Sequence, residues 1–271
     1  MSGEMTTSLG NGVTNLILFS YFCEDMGVEF KGVVEGDDGL FRIVGGREGP
    51  TAEMYREAGW TIKLEKIAKL EEASFCGLIF DADERIIIAD ARKYLADVSI
   101  ADPKYFGIKS TKKLELLRAR GFSLCYQYPG CPILQELGEA LLRATRGVNI
   151  DDLLESRFHT FDTYTRELIE QSINHTPVHR QVAPGTRKLM EEKFNISIEE
   201  QLQIECKLRT ITSRNQVLGP IDYKLRPGFF PKDWSTYGRD YAVYSDRDAS
   251  HLSVFPDREF SESDYTCARA A

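Results

Sequence analysis

Leu9, Val13, Leu16, Ile17 and Ser20 recur at intervals of three and four, which predicts a helix from about Ser8 to about Met26, stopped at Gly27. Beyond it the apolar runs shorten and turn strand-like. Val33-Val34 and Leu40-Phe41 flank Glu35-Gly36-Asp37-Asp38-Gly39, and Leu40 to Val44 complete a hairpin. Gly45 to Pro50 read as a loop, and Thr51 caps a short helix over Ala52 to Ala58 that ends at Gly59. Trp60-Thr61-Ile62-Lys63-Leu64-Glu65 alternates like a strand. Ala73 to Phe80 and Arg85 to Ala89, about a polar turn at Asp81 to Glu84, predict a second hairpin.

From Pro103 the period becomes helical. Pro132 opens a helix through Leu134, Leu137, Leu141 and Leu142 to Gly147. Asp151 or Asp152 starts another, with Leu153, Leu154, Phe158, Phe161, Tyr164, Leu168 and Ile169 as its core face. Pro177 to Pro184 form a linker and Arg187 to Phe194 a short helix; Ser197 with Glu200 makes a capping box for a helix through Leu208. Beyond Gly219 the pattern dissolves. The whole predicts an α+β chain: a mixed part over 1–102, a helical part over 103–218, and a loop-rich, partly disordered tail over 219–271.

Composition adds bounds. The chain has 271 residues, 42% apolar and 28% charged, enough for a sizeable core in one domain or two packed ones. A net charge of -8 argues against a basic surface along the whole chain and leaves room for a local one. Lys109, Lys112, Lys113, Arg118 and Arg120 make the densest basic segment, either a solvated helix face or a track for RNA phosphates. Six cysteines without a short paired spacing suggest reduced, mostly buried thiols. His175 and His179 are separated by Pro177, which favours a loop over a metal site. The chain opens on polar residues, unlike a signal peptide, and carries no apolar run near the roughly 18 residues that span a bilayer.

The chemistry gathers at Asp37-Asp38. Adjacent carboxylates on a glycine-bounded turn repel each other unless a cation shares the site, although Asp and Gly are also what a solvated turn favours. A helix from Asn11 to Met26 travels about 22 Å, and a strand from Val28 to Asp37 about 30 Å. If the strand returns antiparallel to the helix, Ser2, Thr7 and Asn11 lie at the same end as the acid pair.

Ser2-Gly3, Thr7 and Asn11, followed by Gly36-Asp37-Asp38, resemble motifs B and C of viral RNA-dependent RNA polymerases in order and separation. The fuller Met-Ser-Gly-Glu-Met-Thr-Thr-Ser-Leu-Gly-Asn-Gly is most similar to positive-strand, tombusvirus-like enzymes. The resemblance implies a partial right-hand polymerase, with a palm (helix plus antiparallel hairpins) over 1–102 and a mainly helical thumb over 103–218. Met1 then reads as an internal residue, and the fingers and motif A as parts of the same polyprotein upstream.

The implied reaction is two-metal nucleotidyl transfer with two Mg²⁺ (or Mn²⁺) ions. Asp37 is the principal metal ligand and Asp38 a second ligand or electrostatic support; Ser2, Gly3, Thr7 and Asn11 contact the nucleotide, and Asn11 with Ser2 reads the ribose 2' hydroxyl. Trp60 to Glu65 resembles motif D, with Lys63 as general acid for the leaving pyrophosphate and Lys66 or Lys69 as alternates; a lysine on a strand edge is the plain alternative. Phe75-Cys76-Gly77 resembles motif E, which supports the primer end, although a core hairpin looks alike. Implied partners are RNA template and primer, nucleoside triphosphates, replicase proteins and host-membrane factors, at membrane-associated replication complexes in the host cytoplasm. Without motif A the chain alone is expected to be inactive. Two other readings remain: a reverse transcriptase, and a non-catalytic palm-thumb module that binds RNA or a replicase partner.

Overall fold

The computed structural model describes residues 7–98, 110–150 and 163–213. The chain is mixed α and β with small antiparallel sheets, and it divides into two units between Ala89 and Asp90. That division falls before the predicted boundary at 102, so the helix Ala91–Asp97 belongs with the second unit. Ser2, Gly3, Lys109 and the predicted tail over 219–271 lie outside the described residues, as does the start of the helix predicted from Asp151 or Asp152.

In the first unit, helix α1 (Thr7–Asp25) is followed by strands β1 (Phe30–Glu35) and β2 (Asp38–Ile43) in an antiparallel hairpin. α1 ends as the sequence predicts. Gly27 has φ +62°, its amide donates to Glu24 O and that of Val28 to Cys23 O, so orphan carbonyls of the last turn are satisfied. The stripe that announces this helix is not the one it buries. Leu9 is 69% and Ile17 60% exposed, whereas Gly12, Phe19, Phe22 and Cys23 face inward.

Aromatic packing accounts for that choice. Phe19 stacks on Phe41 with ring centroids 3.7 Å apart and meets Phe30 edge-on, while Phe22 meets Tyr55. Val28, Ile43, Met54, Ile62 and Leu64 close around this cluster. Aromatic side chains bury more area than the aliphatic stripe and gain a further ~0.5–1.5 kcal/mol per pair from ring geometry.

Tyr55 comes from helix α2 (Ala52–Glu57), whose first turn is capped by the Thr51 hydroxyl accepting from Met54 N. Trp60 to Glu65 forms no strand, which corrects the expectation. Ile62 and Leu64 do turn inward while Thr61, Lys63 and Glu65 face water, so the alternation is kept by packing without a ladder. The predicted second hairpin becomes a three-stranded meander of β3 (Ser74–Phe75), β4 (Leu78–Asp81) and β5 (Ile86–Ala89). The expected single strand from Ala73 breaks at Cys76-Gly77, where both residues have positive φ, 51° and 75°, as a tight type I′ loop demands.

The second unit holds α3 (Ala91–Asp97), α4 (Ser110–Gln127), α5 (Leu134–Ala144), α6 (Thr163–Asn174), α7 (Pro184–Phe194) and α8 (Ile198–Arg209). α4 and α5 approach closely at glycines: a Cβ on Gly121 would stand 3.1 Å from Gly138 O. The Ser197–Glu200 capping box forms, with Ser197 N donating to Glu200 Oε2 at 2.8 Å. α5 begins later than Pro132 suggests, because Leu134 N folds back to Pro132 O and holds Ile133 at φ +66°. That backbone is strained for a β-branched residue, and the buried Glu205 carboxylate holds it by accepting from Ile133 N. Cys23, Cys125 and Cys131 are buried free thiols and Cys76 an exposed one; Cys206 is disulfide-bonded, which departs from the reduced state expected throughout. No helix among the described residues is long and apolar enough to cross a membrane.

Candidate active site

The acid turn is the two-residue loop of the first hairpin. Glu35 pairs with Asp38 across the strands, leaving Gly36-Asp37 as the loop. Gly36 has φ +57° and Asp37 does not share the positive sign, the type II′ pattern that matches the strands' twist. Asp37 therefore sits at the apex and Asp38 already belongs to β2, so the two carboxylates have different surroundings.

α1 runs alongside with its N-terminal turns at the acid end, as the antiparallel reading requires. Gly12 makes that approach close: a Cβ there would lie 3.6 Å from Gly36 N. Ser8 Oγ donates to Glu35 Oε1 at 2.7 Å, and Asn15 Nδ2 donates to Asp37 O at 3.2 Å. On the β2 side, Cys76 N donates to Asp38 Oδ2 at 3.1 Å. Glu35 and Asp38, opposed like charges, thus diverge toward separate neutral donors. The Cys76 thiol completes the group. Burial, then the charge of Asp38 and a hydrogen bond to it, then Glu35 and Asp37, push its pKa up.

The expected site residues divide accordingly. Asp37, Asp38 and Cys76 come together at this end of the hairpin. Thr7 opens α1, and Asn11 is exposed without a hydrogen-bond partner among the described residues. Ser8 and Asn15 hold the turn instead, and Glu35 joins its charge. A signal existed for the helix residues: Ser8, Gly12, Asn15 and Phe19 follow the four-three-four spacing of one helix face. The aliphatic stripe beside them was simply louder.

Lys63 is 88% exposed and pairs with Glu65 at 2.7 Å, which raises its pKa. A lysine acting as general acid near neutral pH works best with a lowered pKa, so this environment favours a resting ion pair. Phe75 is half-buried at the end of β3, with Cys76-Gly77 turning toward Asp38. In the second unit, Lys112 pairs with Glu115 at 2.8 Å and Lys113 is exposed. Arg118 donates to Leu142 O and Thr145 O and lies over the Phe122 ring, so its guanidinium closes the end of α5; burial lowers its pKa. Arg120 is half-buried.

The donors at the turn are carboxylate oxygens, which suit Mg²⁺ or Mn²⁺ by chemistry. Among the described residues no group of three or more His, Cys, Asp or Glu side chains is placed to hold a metal ion. No model of a known protein family, no curated protein and no solved structure matches the chain.

Proposed function

We propose that this chain carries the motif B to motif E part of a viral RNA-directed RNA polymerase, a palm and helical thumb that act in template-directed nucleotidyl transfer. The observation that supports it best is the acid turn held against the polar start of α1. Ser8, Gly12 and Asn15 set Asp37 at an exposed apex with carboxylates on either side. Opposed carboxylates supported only by neutral donors form a site of excess negative charge, and a divalent cation is what relieves it.

In this reading Asp37 is the principal ligand, and Asp38, tethered by the Cys76 amide, is a second ligand or an electrostatic support. When bound, Mg²⁺ would favour ionisation of the attacking 3' hydroxyl and neutralise charge on the phosphoryl oxygens. The chain's own residues orient that charge: Ser8 restrains Glu35, and Asn15 fixes the apex through its backbone carbonyl. Nucleotide contacts fall to Ser2, Gly3, Thr7 and Asn11, whose exposed amide is free to meet a ribose hydroxyl. The setting is a replication complex on host membranes.

The test is ribonucleotide incorporation by the full-length protein on a defined RNA template. Asp37→Ala is expected to lower the rate by at least about 1,000-fold, the scale of losing a principal electrostatic stabiliser. A loss under about tenfold overturns the metal role. The 271-residue chain alone is expected to be silent, because one carboxylate turn cannot hold two ions in register.

A further inference from the structure

The face of the first hairpin opposite α1 carries its charges in rungs. Phe30, Phe41 and Ile43 pack toward α1, and Val34 approaches Gly12. Strand alternation therefore sends Lys31 and Val33, with Arg42 and Leu40, to the other side; Glu35 and Asp38 continue that register to the turn, where the Glu35 carboxylate reaches round the strand end to Ser8 of α1. Their pairing is Lys31 with Arg42, Val33 with Leu40, and Glu35 with Asp38. Two cations stand opposed at one end, two carboxylates at the other, and an apolar rung lies between.

Like charges directly opposite destabilise a sheet. The acidic rung is partly relieved by the Ser8 hydroxyl and the Cys76 amide. The basic rung has no such relief. Lys31 and Arg42 are both exposed and make no ion pair or hydrogen bond among the described residues. What that rung lacks is an anion. Four residue steps, Lys31 to Glu35 or Arg42 to Asp38, separate it from the carboxylates beside the turn, about 13 Å at 3.3 Å per residue.

We propose that the Lys31–Arg42 rung binds backbone phosphates of the RNA strand whose end lies at the Asp37–Asp38 turn, with Val33 and Leu40 beneath the sugars between. The identity of the strand rests on the polymerase reading. The span matches about four nucleotides of stacked strand at 3.4 Å each, so one strand meets the acid turn, through its cation, and the basic rung together. An acidic polypeptide would also satisfy the cations, but it has no reacting end to bring to the carboxylates.

The test measures binding of a short labelled single-stranded RNA to the 271-residue chain across a salt series with Mg²⁺ present. Each single-strand phosphate contact contributes about 0.7 to the slope of log affinity against log salt, so Lys31→Ala/Arg42→Ala is expected to reduce it by about 1.4. Binding should weaken alike for different sequences, and the variant should melt no lower than the parent, because opposed cations are removed. Arg56→Ala/Arg85→Ala, exposed cations elsewhere in the unit, should leave the slope unchanged.

An unchanged slope in the Lys31/Arg42 variant, while Asp37→Asn abolishes the Mg²⁺ dependence, overturns the rung and leaves the polymerase reading standing. A reduced slope with no effect of Mg²⁺ or of Asp37→Asn supports the rung as an RNA site and removes the polymerase reading. Equal loss in the control variant, no RNA binding by the parent, or competition by polyglutamate as effective as RNA of equal charge overturns the proposal.

Discussion

One acidic group in each unit is held in a way opposite to the other. In the second, Glu136 and Glu205 are 5% and 2% exposed and each lies between arginines. Arg187 grips Glu205 with two hydrogen bonds of 2.9 Å, Arg143 and Arg209 grip Glu136, and Arg209 also reaches Glu205 at 3.5 Å. In the first, Glu35, Asp37 and Asp38 are exposed and meet a hydroxyl and a backbone amide, with no cation among the described residues. A buried carboxylate left without its partners costs several kcal/mol of stability or is driven to its neutral form. The exposed turn escapes that cost because water solvates it.

The comparison breaks most sharply at Glu205. Glu205→Ala strands Arg187 and the strained Ile133 amide, and is expected to cost about 3–5 kcal/mol, read by denaturant unfolding of the helical unit. Asp37→Ala, measured by denaturant unfolding of the first unit, should fall within about 0.5 kcal/mol of the parent, since its exposed side chain supports no packing. Equal costs would mean that the turn is a structural charge site like the other.

A smaller effect sharpens it from the other side. Glu35→Gln keeps an acceptor for Ser8 while removing one of two opposed charges, so it should stabilise the first unit by about 0.2–1 kcal/mol in thermal melts. Destabilisation would show that the carboxylate is paired rather than spare.

The smallest signal is chemical. The exposed Cys76 thiol has its pKa raised by burial and by the neighbouring carboxylates, so near pH 8 less of it is thiolate than in an unfolded chain. The same shift favours the folded state below the thiol's unfolded pKa and is lost as pH rises through the higher folded one. Alkylation of the Cys76 peptide, followed by mass spectrometry, should accelerate with Asp38→Asn. It should accelerate with Mg²⁺ in the parent and not in an Asp37→Asn/Asp38→Asn variant. Cys125, pushed up to about 12 by burial, provides the inert internal standard. A rate at Cys76 indifferent to both changes would detach the thiol from the acid turn.

Local signals were legible where chain-neighbour physics decides. Gly27 after the α1 pattern, Thr51 before α2 and Ser197 with Glu200 before α8 each marked a boundary, because capping satisfies donors and acceptors only a few residues away. The acid turn was equally plain, since Gly36 supplies the positive φ a tight hairpin needs. The partners of that turn were harder to see. Nothing in the sequence separates Ser8 and Asn15 from Asn11, because choosing among polar positions on one helix requires knowing which face meets the hairpin.

By itself, then, the sequence determined the α+β order of elements, the end of α1 and the position of Asp37-Asp38 at a turn. Tertiary structure alone decided that Phe19 and Phe22, rather than Leu9 and Ile17, face the core. It alone broke the β3–β4 strand at Cys76 and set that residue's amide on Asp38. The reason is physical. Caps and turns are energies between near neighbours, whereas the buried face of a helix is settled by which stripe meets Phe30, Phe41 and Tyr55, residues that only the folded chain brings together.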